Sequence, residues 1–372
     1  MATSPRIAII GGGPGGLMLA RLLQVAGMPA TVFERDPHAA HRPQGGSLDL
    51  HVETGQRALR LGGLEAAFHA HARPEDQGDR LYDPSGALLF DHAGDGFERP
   101  EIDRTALRTI LLDSLDEGTV RWGTRVTEAR PRPDGACEVI TDGGAAAYDI
   151  VVGADGAGSR VRPLLSDAAP LYEGVVFVEL GFEAQTHRFV DDLVGTGKMF
   201  AVGDNRALIA QRNGHGHIRG YAAWRTPEAQ ARTLVQQSAE QVRAAMLEVF
   251  DGWAPRLTDM TRQGTLLGVR MLSALPIGHS WTSRPGFTLL GDAAHLMSPF
   301  AGEGVNLALA DAADLAEALA SGQGWTAVAH AETVIAARAK VAAEGSAEGL
   351  RTAFSPDGAA PMLQHYRARI AG

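Results

Sequence analysis

Six residues, Gly11-Gly12-Gly13-Pro14-Gly15-Gly16, constrain the fold of this chain more than any other stretch. The apolar run Ile7-Ala8-Ile9-Ile10 precedes them, and Leu17 to Leu23, helix-forming and apolar on one face, follows. The pattern predicts strand, tight glycine turn and helix. Gly11, Gly13 and Gly16 fit G-x-G-x-x-G in the context that gives this spacing chemical meaning: backbone N–H groups at a helix start can approach a pyrophosphate that side chains would exclude. Glu34 closes a second apolar run, Ala30-Thr31-Val32-Phe33, where its carboxylate is placed to accept from a ribose hydroxyl. Arg35 follows the acid, and an arginine there suits a 2′-phosphate, so the motif alone leaves FAD, NAD and NADP open.

With 372 residues the chain exceeds one ordinary domain and predicts two, interleaved. Its 45% apolar and 21% charged residues support a large core. A net charge of −10, with no lysine- or arginine-rich block, argues against a nucleic-acid partner and for a small molecule. The single cysteine, Cys137, excludes an internal disulfide, a thiolate cluster and a Cys-x-x-Cys centre, which suits a reducing cytoplasm. The apolar start is too short for a signal peptide, and no stretch approaches the ~18 apolar residues of a membrane span. A cytoplasmic protein without membrane contact is expected.

Along the chain, 35–51 carries two prolines and a glycine pair and reads as a connection with a short strand at Leu48-Asp49-Leu50. Amphipathic helices are expected at 54–61 and 64–71. His69 and His71, two apart, point to different helix faces, so no metal site is expected. Segment 100–115 has the leucine spacing of a helix, with Asp103 as its cap and Arg104 and Arg108 as a solvated stripe. Segments 120–128 and 137–141 alternate at period two around a Pro-Asp-Gly turn and suggest a hairpin or meander appended to the nucleotide-binding sheet. Segment 148–162 is a second buried strand running into glycines at Gly153-Ala154-Asp155-Gly156, a second place where backbone can reach a phosphate.

From about residue 171 the texture becomes alternating strands, 175–182, 198–202, 206–212 and 217–224, followed by a helix at 227–250. This predicts a separate antiparallel sheet with a covering helix, suited to holding substrate. The first texture returns at 287–306: a buried strand ending in Asp292, a Pro299-Phe300-Ala301-Gly302 loop, and a helix at 305–319. Asp292 ends its strand as Glu34 ends the earlier one, at the carboxyl edge where open α/β sheets bind ligands. An alanine-rich helix at 326–350 is expected to pack across both domains. The expected fold is α/β: a Rossmann-like nucleotide-binding domain from 1–170 and 275–322, an interleaved antiparallel-sheet substrate domain at 171–274 to which part of 71–103 is assignable, and a C-terminal bridging helix and tail at 323–372.

Three distant stretches agree with one another: the glycine turn with Glu34, Asp155-Gly156, and G-D-A-A-H-x-x-x-P from Gly291 to Pro299. Together they resemble the class A flavoprotein monooxygenases, the para-hydroxybenzoate hydroxylase group, over essentially the whole chain. Gln44 to His51, Pro100 to Arg104 and Gly291 to Asn306 are similar to the tetracycline-inactivating monooxygenases within that group. The resemblance implies FAD as cofactor. Gly11, Gly13 and Gly16, with Pro14 and Gly15 in the same turn, would cradle its pyrophosphate. Glu34 would hold the adenosine ribose, with Arg35 beside the adenine end. Asp49 would contact the flavin, Arg104 would reach FAD from its helix, Asp155 belongs to the second phosphate-side motif, and Asp292 would meet the ribityl or pyrophosphate region. Arg42 aligns with an arginine associated with NADPH, which is expected to bind transiently at the surface, since the chain has no second fingerprint. Reduced flavin is negative near N1 and the C2 carbonyl, and a helix start at Gly304, Val305 and Asn306 would offer it N–H donors. Pro299, Phe300 and Gly302 would shape the wall beside the isoalloxazine. The implied reaction takes hydride from NADPH, adds dioxygen at C4a, and passes oxygen from a C4a-hydroperoxyflavin to an electron-rich carbon. The chemistry is carried by the flavin and not by a side-chain triad.

The sequence departs from the tetracycline enzymes where they hold the drug. Glu179, Lys198 and Arg219 stand in place of glutamine, arginine and histidine, and in a pocket they would select another polar or anionic substrate. Asp155-Gly156 also follows the broader hydroxylase pattern and not the Asn-Gly of the tetracycline enzymes. The expected substrate is tetracycline or another fused-ring phenol or enol, such as a polyketide intermediate. Baeyer–Villiger oxygenation of a related ketone is an alternative, as is a flavin-binding protein that sequesters its ligand without turnover. A flavin halogenase is disfavoured: none of Trp122, Trp224, Trp253, Trp281 and Trp325 forms a Trp-x-Trp-x-Ile segment. A monomer is compatible with the sequence.

Overall fold

The structure, a computed structural model, describes residues 5–41, 45–94 and 96–371, so Arg42 and Gln44 lie outside the described residues. Among the described residues, seventeen strands form four sheets. The first is five-stranded. Strand β1 (Ile7–Ile10) lies at its centre, parallel to β2 (Ala30–Phe33) on one side and β11 (Ile150–Gly153) on the other. β17 (Phe287–Leu289) extends it beyond β11, and β7 (Val120–Arg121) beyond β2. All four residues of β1 are buried, the continuous apolar run that a parallel strand covered on both faces requires. The helix Pro14–Val25 packs Leu17, Leu19 and Leu23 into one core with Leu309, Ala312 and Leu315 of the helix Gly304–Ala320. Segments nearly 300 positions apart in sequence therefore share that core.

Of the expected hairpin or meander, the structure has the meander: β8 (Val126–Pro131), β9 (Cys137–Thr141) and β10 (Gly144–Tyr148), paired antiparallel in sequence order. Its Ala129, Val139 and Tyr148 pack with Ala8, Phe33 and Phe287 against the parallel sheet. Val120-Arg121 does not join it. Gly123, at φ +63°, turns the chain between the two, and Val120-Arg121 pairs with β2.

The large sheet runs β16 (Thr265–Ala274), β12 (Leu171–Glu183), β15 (His217–Arg225), β14 (Arg206–Arg212), β13 (Gly197–Gly203), β4 (Gly78–Tyr82), β5 (Leu88–His92). Its neighbours are antiparallel except β13 and β4. One face, with Val176, Val178, Leu208 and Ala222, is covered by helices Glu228–Gln236, Ala239–Val249 and Pro255–Gln263. The single helix expected at 227–250 is thus two. Ser238 starts the second with a capping box: its hydroxyl accepts from the Gln241 N–H while the Gln241 side chain accepts from the Ser238 N–H. The other face, with Phe177, Ile209 and Ala223, meets Phe300 and the end of the long helix Trp325–Ala353.

The fourth sheet is a ribbon of β3 (Ser47–Asp49) and β6 (Glu101–Asp103), in which Asp49 opposes Glu101. The helix expected at 100–115 therefore begins at Arg104 and ends at Asp113, because cross-strand pairing takes 101–103. Asp103 does not cap it through its side chain. Its carboxylate accepts from the Gly214 N–H at 3.1 and 3.2 Å and pairs with Arg73 at 2.9 Å. Arg108 is not solvated either: it is buried, donates to the Ala39 carbonyl at 2.7 Å and lies over the Trp122 ring. The segment expected as a helix at 54–61 opens with a π-helical turn, Val52–Gln56, before Arg57–Leu61, and the next helix is shortened to Glu65–His69. Among the described residues no helix is long and apolar enough to cross a membrane.

Candidate active site

The carboxyl ends of β1, β2, β11 and β17 open onto one edge, where Gly11, Glu34, Asp155 and Asp292 follow their strands. The glycines of the turn are required for different reasons. Gly11 sits at φ +113°, and a Cβ there would collide with the Ala154 carbonyl; one on Gly16 would collide with the Gly11 carbonyl, and one on Gly15 would press on Leu290 and Ala308. Gly13 differs. Its φ of −78° is ordinary, and an added Cβ would meet no protein atom within 4 Å. Packing does not ask for glycine at Gly13, whereas a ligand drawn onto the N–H groups of the helix that starts at Pro14 does. The residues present therefore fit a dinucleotide pyrophosphate.

Glu34 is buried and tied to this turn: Oε2 accepts from the Gly12 N–H at 2.9 Å and Oε1 from the Asp36 N–H at 2.8 Å. A carboxylate has about four acceptor positions, so two bonds to backbone leave capacity for ribose hydroxyls. Arg35, beside it, is exposed. Asp155 accepts from the Arg160 N–H through Oδ2 at 2.6 Å, while its buried Oδ1 has no partner among the described residues. Burial raises its carboxyl against the opposing hydrogen bonds of Ser159 and Arg160. Asp292 is accessible, yet the surrounding protein raises its carboxyl by desolvation, with the charges of His295 and Arg104 opposing. A group both accessible and desolvated lies in a recess. Arg104 itself is exposed at the start of its helix.

The loop 299–302 and the helix Gly304–Ala320 face β3. Gly302, at φ +70°, lies against Asp49, and Gly304 has no protein atom within 4 Å of an added Cβ. Pro299 and Gly302 are exposed, and Val305 is half-buried. Asn306 is fully buried, and its side chain serves as a staple: Oδ1 accepts from the His51 N–H at 2.9 Å and Nδ2 donates to the Asp49 carbonyl at 2.9 Å. Asn306, expected from sequence to act through its backbone N–H, thus also uses its side-chain amide to join this helix start to β3 and its exit.

A polar wall beside Asp49 is built mostly from residues that the sequence does not point to: His51, Arg99, Glu303, Glu101, Ser47 and Arg73. Asp49 lies 3.3 Å from His51 Nε2 and 3.8 Å from Arg99 Nε, and His51 Nδ1 lies 3.5 Å from Glu303. Burial alone would raise the Asp49 carboxyl, but the His51 hydrogen bond and the charges of Lys198, His51 and Arg99 hold it at about 2. Opposite it, Glu101 is buried and accepts from Ser47 Oγ at 2.8 Å, and Ser47 accepts from Arg73 at 2.9 Å. Desolvation, helped by the charge of Asp49 and opposed by Lys198, pushes Glu101 up to about 7. Lys198 Nζ lies 3.6 Å from Asp79; burial works against its charge, but Asp79, Asp49 and Glu101 raise its pKa overall.

Register places the three candidate substrate residues on one face of the large sheet. Lys198 opposes Gln211, which opposes Arg219, which opposes Gly181; in the next row Phe200, Ile209, Tyr221 and Glu179 follow in the same order. Buried Glu179 pairs with Arg219 at 3.5 Å and also with Arg270. Phe300 stands edge-on to Phe177 at 6.0 Å, and Phe177 lies 5.5 Å from Tyr221. Gly46 approaches Arg219 and Tyr221, which brings the β3 segment over this face. Alternation at period two from Arg219 was the available signal for Tyr221 and, across the sheet, for Gln211.

Backbone donors at two helix starts, backed by strand-end carboxylates, form a layout that fits a bound dinucleotide. The family model described as an FAD binding domain matches residues 5–346, and the chain belongs to that family of FAD-dependent monooxygenases. It is 34% identical over 371 residues to the monooxygenase asqM of Emericella nidulans, with 84% of this chain and 83% of that protein covered. To the monooxygenase penA of Penicillium thymicola it is 33% identical over 368 residues, covering 84% of each. The crystal structure of the tetracycline destructase Tet(51) has the same fold, with a TM-score of 0.74 at 18% identity over 99% of this chain and 95% of that one.

Proposed function

We propose that this FAD-dependent monooxygenase takes electrons from NADPH and hydroxylates a polycyclic aromatic or enolic small molecule, of tetracycline or polyketide type, in its anionic form. The observation that carries the reading is Glu179 held between Arg219 and Arg270 on the sheet face beside Tyr221 and Phe300. One carboxylate set against two guanidinium groups leaves a surplus positive charge, which favours a phenolate or enolate oxygen over a neutral ring. The name of Tet(51) supports tetracycline as a candidate; the charged residues at Glu179, Lys198 and Arg219 support other acidic fused-ring phenols equally.

In this reading FAD is held by Gly11, Gly13 and Gly16 with Pro14 and Gly15 at the pyrophosphate, by Glu34 at the ribose, and by Asp155, Asp292 and Arg104 along the cleft. FAD supplies the acceptance of hydride and the activation of dioxygen that no side chain here provides. The protein's part is positional. The start of the helix at Gly304, Val305 and Asn306 would offer N–H groups and the positive end of a dipole to the flavin ring when it is bound. Asp49, held at about 2, stays ionised at neutral pH beside that helix start. Pro299, Phe300 and Gly302 would shape the wall beside the flavin ring. Glu101, near 7, holds or releases a proton next to Lys198. NADPH would bind transiently, with Arg42 as the arginine that the resemblance associates with it and Arg35 kept to the adenine end of FAD, in the reducing cytoplasm that the lone Cys137 suits.

The test is NADPH oxidation by the purified yellow protein with and without tetracycline and acidic fused-ring phenols. Stimulated oxidation with a product heavier by one oxygen atom is expected. Tight binding without stimulation would replace this reading with ligand sequestration, and a ring-expanded ester product would replace it with Baeyer–Villiger oxygenation.

A further inference from the structure

Asp311 lies in the helix Gly304–Ala320 with no solvent exposure. A buried carboxylate is costly unless fully partnered, and this one is. Its Oδ2 accepts from the Gly291 N–H at 3.0 Å and from His295 Nε2 at 2.5 Å; its Oδ1 accepts from Arg338 at 2.9 Å. Burial works against charge on both members of the His295–Asp311 pair, but their mutual attraction prevails, raising His295 and lowering Asp311.

The two Oδ2 partners are the two ends of one turn. Gly291 adopts φ +58°, ψ −143°, a conformation open to little besides glycine, and the short helix Asp292–His295 follows. One carboxylate thus grips the first N–H and the last side chain of the segment that carries Asp292. Arg338 comes from the long helix Trp325–Ala353, and its other nitrogen donates to Asp314 at 2.8 Å, which also receives Arg57 at 3.2 Å. Eight residues further along the same helix, ~12 Å by helical rise, the Ser346 hydroxyl bonds to Ser298, and Gly349 lies against Phe300. The long helix is therefore anchored at both loops that flank the cleft.

We propose that Asp311 and Arg338 are positioning residues for FAD, which preset the Gly291–His295 turn so that Asp292 is already aimed at the cofactor before it binds. The proposal rests on the assignment of Asp292 to FAD made above. Removing Arg338 leaves Asp311 to its remaining partners and loosens the turn, and the loss is felt in cofactor affinity.

FAD dissociation constants are measured by fluorescence titration of stripped protein, well below its thermal midpoint, for Arg338→Gln, Arg338→Lys, Arg57→Gln and Asp292→Asn. Arg338→Gln should weaken FAD on the order of tenfold, and Arg338→Lys should recover most of that. Arg57→Gln, which breaks only the Asp314 end, should leave affinity unchanged, and Asp292→Asn should weaken it at least as much as Arg338→Gln. If Arg338→Gln binds FAD like the parent while Asp292→Asn does not, the positioning role is wrong and the Asp292 assignment stands. No change in Asp292→Asn overturns that assignment and the proposal with it. Equal weakening by Arg57→Gln and Arg338→Gln shows general loosening of the helices and also overturns the proposal.

Discussion

The proposed cofactor cradle and the proposed substrate face are built by opposite means. The cradle is made of backbone: glycines at Gly11, Gly13 and Gly16, two helix starts, and acids placed one or a few residues after parallel strands. The face is made of side chains, Asp79, Lys198, Gln211, Arg219 and Glu179, carried by separate strands and aligned by register. In the cradle a residue is demanded by shape. On the face it is demanded by charge, and charge is retuned by substitution without disturbing the sheet that carries it. The difference teaches that this fold can keep its cofactor constant while its substrate drifts.

The strongest test of that contrast uses two glycines of the same turn. Gly13→Val places its Cβ where no protein atom lies within 4 Å, so the thermal midpoint of the stripped protein should change little. FAD affinity should fall by on the order of a hundredfold, ~2.7 kcal/mol, because the side chain occupies the approach to the helix start. Gly11→Ala should lower both, since at φ +113° its Cβ meets the Ala154 carbonyl. FAD titration alongside thermal melts separates the two. A Gly13→Val midpoint as low as that of Gly11→Ala would show the whole turn to be structural and break the comparison.

A second test concerns Glu101, which belongs to neither side and closes the wall between them. Its folded pKa of about 7 is above the ordinary value of 4.5, so the unfolded chain releases this proton first as pH rises. Its contribution to stability is complete below about 4.5 and is lost as pH climbs through 7. Lys198 from β13, Asp49 and Ser47 from β3 and Arg73 from the preceding loop are the groups that face it. Glu101→Gln keeps the bond to Ser47 without a titrating charge and should flatten the decline, gaining ~2 kcal/mol over the parent at pH 8 relative to pH 5. Thermal melts at the two pH values check this; parallel pH dependence in parent and variant would mean that Glu101 ionises without hindrance.

The same contrast explains what could be read from sequence. The cradle was legible because each part is local: the glycine turn follows its strand within a few residues, as do Asp155-Gly156 and Asp292. The wall was not. Glu101 and Asp103 look like the first turn of a leucine-spaced helix, and nothing within that segment reveals the pairing with Ser47 to Asp49 some 54 positions earlier. Arg108 reads as a surface charge until Trp122 and the Ala39 carbonyl arrive from elsewhere in the chain. Some local signal is present in the sequence: Ser238 and Gln241 stand at capping-box spacing within the stretch 227–250. Lys198 and Arg219 are named by the resemblance, but their alignment in one row with Gln211 requires cross-strand register, which depends on turns whose lengths no single strand encodes.

The smallest expected effect bears most directly on the substrate. Arg219→His removes one of the two fixed charges beside Glu179 but leaves Arg270, the closer of the two, to pair with that carboxylate, so no buried acid is stranded and the fold should hold. The FAD dissociation constant should be unchanged, because Arg219 belongs to the face and not to the cradle. The matched probes are a carboxylated form of whichever phenol stimulates NADPH oxidation and its neutral methyl ester. The ratio of their KM values should move about tenfold toward the ester, ~1.4 kcal/mol, with kcat little altered. An unchanged ratio would mean that the Glu179–Arg219 pair is a self-contained brace of the sheet, and substrate choice would then pass to Lys198, whose charge is set between Asp79 and Asp49 at the far end of the same row.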